Sequence, residues 1–112
     1  MASDKDFVEF VADQIRNAGE ITYRKMFGEY AVYCDGKVVA LICDNHLFVK
    51  PTERGRVFVG DVVESPPYRG AKLHFLIEDQ LEDSEWIGEL VRITADELPV
   101  PKPRKPKKGG KK

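Results

Sequence analysis

At 112 residues, with 42% hydrophobic and 33% charged residues, the chain is long enough for one buried core and too short for two. No apolar run nears the roughly 18 residues of a membrane span. The opening MASDKDFVEF is acidic and then amphipathic, the wrong order for a secretory signal, so a cytoplasmic protein is expected. The net charge of −1 conceals two opposite parts. Residues 1–98 hold 11 Lys/Arg against all 19 Asp/Glu, a balance of −8, whereas residues 99–112 hold seven Lys/Arg and no acid, a balance of +7. An acidic body is a poor general phosphate binder; a tail of this kind is a good one.

Ser3-Asp4-Lys5-Asp6 resembles a capping box with Asp6 in the place of Glu. Phe7, Val8, Val11, Ile15 and Ala18 follow at helical spacing and Gly19 is a suitable stop, which predicts a helix over about 4–18. Ile21-Thr22-Tyr23 reads as a short strand leading to Met26-Phe27-Gly28. Three strands over about 29–34, 37–43 and 46–50 are then joined by Asp35-Gly36, a strong hairpin signal, and Asp44-Asn45, a weaker one. This is an antiparallel meander. A two-residue turn at Asp35-Gly36 pairs Cys34 with Lys37, Val32 with Val39 and Tyr30 with Leu41. That register puts Tyr30, Val32, Val39, Leu41 and Phe48 on one face, and Ala31, Tyr33, Val38, Ala40, Ile42, Leu47 and Val49 on the other. Both faces are apolar, so both call for cover: helices on one side, and loops or a second subunit on the other. Cys34 and Cys43 fall six steps apart, roughly 20 Å, too far for a disulfide, and reduced thiols suit the cytoplasm.

Pro51 closes the third strand. Residues 52–63 are ambiguous, since Thr52-Glu53-Arg54 looks like a helix start while Gly55 and Gly60 weaken one. Residues 65–70, SPPYRG, form a rigid loop before a strand at Lys72–Ile77. Asp83-Ser84-Glu85 caps a second helix, with Trp86, Ile87, Leu90, Val91 and Leu98 at apolar positions and Pro99 at its end. The fold class expected is α+β: an antiparallel sheet of four to five strands built on the meander, with helices packed against it. Residues 1–98 form the domain. Residues 99–112, rich in Lys and Pro, lack the apolar surface to repay ordering and are expected to be disordered.

Arg24-Lys25-Met26-Phe27-Gly28-Glu29-Tyr30, the hairpin around Asp35-Gly36-Lys37, and Leu47-Phe48-Val49-Lys50 together resemble the N-terminal domain of the TfoX/Sxy family. Pro67-Tyr68-Arg69-Gly70-Ala71-Lys72 and Leu98-Pro99-Val100-Pro101-Lys102-Pro103 are similar to short, stand-alone members. The likeness covers about residues 5–98. It implies a bacterial protein linked to regulation of natural competence genes, with Met26, Phe27, Gly28, Asp35 and Gly36 as structural motif residues and no catalytic ones. The family's competence regulators carry a helical second domain where this chain has only its basic tail.

The chemistry-bearing residues make no constellation. Cys43 and His46 flank a turn at ligand-like spacing, but a structural zinc site needs a second short-spaced pair. Cys34 beside Lys37 has no base or orienting group. Neither Gly28 nor Gly36 belongs to a phosphate loop. No metal and no cofactor is called for. Arg24 and Lys25, beside Tyr23 and Phe27, are the best basic-aromatic surface in the body, with Lys50 as a third cation. In the tail, Lys102, Arg104, Lys105, Lys107 and Lys108 can contact nucleic acid by counterion release. The reading is a non-enzymatic regulatory or binding module acting through a protein partner. The alternative is a nucleic-acid-binding protein using the tail and the Arg24/Lys25 surface. A membrane partner is not expected, and a sheet apolar on both faces also allows a homodimer.

Overall fold

A computed structural model describes residues 3–26 and 29–99. Phe27, Gly28 and the tail cations from Lys102 to Lys108 therefore lie outside the described residues. Two left-handed turns set the centre of the fold. Asp35 and Gly36 have φ of 53° and 83°, and Asp44 and Asn45 have φ of 52° and 59°. Paired positive φ values are what a two-residue hairpin turn needs to match the twist of its strands. The turns join β2 (Glu29–Cys34), β3 (Lys37–Cys43) and β4 (His46–Val49) into the expected meander. β1 (Ile21–Met26) flanks β2, while β6 (His74–Ile77) and the two-residue β5 (Glu64–Ser65) complete the other side. The sheet is antiparallel throughout, in the order β1-β2-β3-β4-β6-β5. Among the described residues it has six strands rather than four to five, because β5 forms at the start of what reads as a rigid loop.

The register departs from the sequence expectation at one residue. Val32 faces Ala40 and Tyr33 faces Val38, so Val39 is a bulge and every pair beyond it shifts by one: Tyr30 faces Ile42, not Leu41. A one-residue slip exchanges the faces of a strand. Ala40, Ile42, Leu47 and Val49 accordingly join Val32, Cys34 and Val39 in the core, and Leu41 and Phe48 turn to the opposite side.

The described helices all lie on one face. α1 (Lys5–Gln14) contributes Val8 and Val11, and the turn after it adds Ile15. α3 (Ser84–Glu97) contributes Ile87, Leu90, Val91 and Ala95, and its N-terminus is capped by Asp83, whose carboxylate accepts from Trp86 N. α1 is shorter than expected, ending at Gln14 before a separate turn at Arg16–Ala18. The capping box does not form. Asp4 makes no side-chain cap bond, and Ser3 Oγ instead donates to Glu29 Oε1 at 2.7 Å. The ambiguous segment resolves as α2 (Glu53–Val59), with Thr52 Oγ1 capping Gly55 N at 2.9 Å. Gly55 is buried, and a Cβ there would come within 2.6 Å of the capping Thr52 Oγ1, so the close cap selects the glycine that propensity counts against the helix.

Candidate functional site

The face of the sheet turned away from the helices is the part of the body most exposed to a function. Strand alternation and the register place Ala31, Leu41, Phe48 and Leu76 in one row across β2, β3, β4 and β6. Tyr33 and Val38 pair beyond it, nearer the Asp35-Gly36 turn. Ala31, Cys43 and Phe48 are buried yet stand apart from the main core, and Leu41, Leu76, Tyr33 and Val38 are only half-buried. The cover comes from the Pro66–Leu73 loop, where Pro67 is buried and Tyr68 is exposed. Between that loop and the strands runs a cleft of about 720 Å³. Leu41 and Cys43 form its floor, Met26 and Tyr68 its apolar rim, and Glu29 and Asp44 its acidic end. Met26 and Tyr68 are 41% and 61% exposed, values that leave an apolar rim open to water.

The acidic end is locked in place. Glu29 Oε1 accepts from Ser3 N at 3.0 Å as well as from Ser3 Oγ, and Glu29 Oε2 accepts from Asp44 N at 3.0 Å. Ser3 Oγ in turn accepts from Asn45 N at 2.9 Å, and Asn45 Oδ1 accepts from Asp4 N at 2.8 Å. One carboxylate thus fastens the start of α1 to the β3–β4 turn, and sequence reading missed it. The only signal available was an acid directly after the Phe27-Gly28 pair, which has many ordinary explanations.

The thiols are poised for packing rather than reaction. Burial, with Glu29 and Asp44 beside it, pushes Cys43 up to about 11. Burial and Asp35 also raise Cys34, against the opposing pull of Lys37 and Arg92. A protonated thiol at neutral pH is a weak nucleophile. Cys34 lies on the helix side and Cys43 on the open side, both free, so no disulfide joins them. Cys43 and His46 do face each other across the β3–β4 turn, but His46 Nδ1 donates to the Asp44 carbonyl at 2.8 Å. His74 Nδ1 donates likewise to the Lys72 carbonyl at 2.9 Å. Among the described residues no three His, Cys, Asp or Glu side chains converge to hold a metal ion.

The basic candidates in the body do not form one patch. Arg24 pairs with Ala31 and points to the open face; Lys25 pairs with Tyr30 and points to the helix face. Both are exposed on the edge strand β1, and Lys50 follows β4, three strands across the sheet. Met26 does line the cleft, and Asp35 and Gly36 build the central turn as expected. None of the described helices is long and apolar enough to cross a membrane.

The chain is 43% identical over 107 residues to an uncharacterized 12.7 kDa protein in the trpE 5′ region of Spirochaeta aurantia, covering 96% of this chain and 93% of that one. Residues 13–98, which run from the end of α1 through α3, match the family described as the TfoX N-terminal domain. With most of its length matched in this way, the chain belongs to the TfoX N-terminal domain family.

Proposed function

We propose that the chain is a non-enzymatic regulatory module of a bacterial cytoplasm, resembling the N-terminal part of competence regulators and acting by docking a protein partner on its open sheet face. The observation that carries this is the half-covered apolar row Ala31–Leu41–Phe48–Leu76 with its cleft, on a sheet whose other face is packed by the described helices. A preformed apolar cleft with a polar end is the usual form of a recognition site. The raised thiols and the imidazoles tied to their neighbouring carbonyls support a binding rather than a catalytic reading. The second reading, nucleic-acid contact, draws on the seven cations of residues 99–112.

The test is photo-crosslinking in producing cells. A benzophenone side chain replaces Tyr68 on the cleft rim in one chain, and the exposed Val57 on α2 in a control. A discrete protein adduct from position 68, lost when Leu41→Asp is added and absent from position 57, is the expected result. Equal adducts from both positions, or adducts to nucleic acid alone, would overturn the reading.

A further inference from the structure

The open face holds an apolar track that starts beside the end of α3 and finishes at an acidic cleft. Lys37 Nζ donates to the Ala95 carbonyl at 2.6 Å, which puts the last turn of α3 next to the Asp35-Gly36 end of the sheet. From that end the open face presents Tyr33 and Val38, then Leu41, then the cleft with Glu29 and Asp44. We propose that this cleft is a docking site for the chain's own tail, residues 101–112, which rounds the Asp35-Gly36 turn, lies along Tyr33 and Val38, and sets its last lysines against Asp44 and Glu29.

Charge, composition and reach all favour that occupant. The tail carries +7 and the body −8, and no acid in the tail competes for its cations. Pro101, Pro103 and Pro106 alternate with Lys and Arg. A proline-rich strand of this kind loses little entropy on docking and suits a surface of aromatic and flat apolar side chains. The run along β3 from Lys37 to Cys43 is about 20 Å, and passing from the helix layer to the far face adds roughly 10–15 Å. Thirteen residues beyond Pro99 span about 40 Å in extended polyproline form. That length brings Lys108 to the near edge of the cleft and Lys111 and Lys112 to its acidic end. A tether of this length holds the tail at an effective concentration near the millimolar range, so weak contacts suffice.

A rival acidic surface exists on α1, where Asp6, Glu9 and Asp13 line a shallower groove. Asp13 is already paired with Arg16 at 2.7 Å, which neutralises part of it. The cleft on the open face combines uncommitted apolar surface with its acid. Tail docking there goes beyond the module reading: in the free chain the tail occupies the surface offered to a partner, and whatever binds the tail uncovers it.

A nitroxide attached at Gly109→Cys in the full chain tests this, since Cys34 and Cys43 are buried and react slowly. At low salt the amide signals of Leu41, Cys43 and Asp44 are expected to lose most of their intensity. They recover at about 0.5 M salt, where the screening length is only about 4 Å. Adding Tyr68→Ser and Asp44→Asn, both at exposed positions, should restore those signals at low salt while the rest of the spectrum stays that of the folded chain. Undiminished cleft signals would overturn the proposal, as would loss of intensity at Asp6, Glu9 and Asp13 instead. Loss that fades on dilution would also overturn it, by placing the tail on a second copy.

Discussion

An alanine at position 55 would bring its Cβ to 2.6 Å from Thr52 Oγ1 and to 3.4–3.5 Å from Phe75 and Leu90. In an open helix that substitution would stabilise by about 1 kcal/mol through propensity. Here Phe75 and Leu90 stand at ordinary contact distance and the clash falls on Thr52 Oγ1: its displacement loses the α2 cap, about 1 kcal/mol, and pushes a β-branched side chain off its rotamer, about 0.5–1.5 kcal/mol. The net expectation for Gly55→Ala is destabilisation by roughly 1 kcal/mol, read as a lower denaturation midpoint at unchanged slope. Thr52→Ala should cost about 1 kcal/mol. Because both changes remove the same cap, the double variant should fall short of the sum. An additive pair, or a stabilised Gly55→Ala, would show that the close approach of Thr52 Oγ1 does not decide the residue.

The elements divide sharply by how legible they were. Asp35-Gly36 and Asp44-Asn45 declare their turns through the residues that accept positive φ, and three strands follow from them within a residue. The bulge at Val39 left no such mark. Val38, Val39, Ala40, Leu41 and Ile42 are all apolar, so the period-2 pattern that would reveal a slip is absent, and a register read from the turn alone puts the two faces one residue out beyond it. The candidate site suffered directly, since Leu41 and Phe48 form the open row only in the bulged register. α2 was obscured by Gly55, and β5 by its two-residue length. The Glu29 clamp joins segments 26 and 15 residues apart, beyond any local signal. Replacing Glu29 by Gln keeps the shape but turns an amide N–H toward existing donors. Destabilisation of about 1–2 kcal/mol is expected, with faster hydrogen exchange at Asp44 and Asn45 than in the β2–β3 turn. Unchanged exchange at those amides would remove Glu29 from its role as the fastening between α1 and the β3–β4 turn.

At the scale of the whole molecule, the separation of charge governs what nucleic acid can do. The body's −8 opposes a polyanion, and the body cations singled out by sequence are dispersed: Arg24 and Lys25 lie on opposite faces of β1, with Lys50 three strands away. Binding to duplex DNA is therefore expected to come from residues 99–112 alone. Seven cations limit the slope of log K against log salt to about −6, and repulsion from the body makes it shallower at low salt. A titration at two salt concentrations, comparing the full chain with one ending at Leu98, reads this directly. The full chain should bind in a salt-sensitive, sequence-blind manner and the shortened chain not at all. Arg24→Ala and Lys25→Ala should each leave the slope of the full chain unchanged. Binding kept by the shortened chain and weakened by Arg24→Ala would instead put a nucleic-acid surface on the edge of the sheet. That outcome would require Arg24 to act from the open face beside Ala31, in competition with the protein docking proposed for the same side.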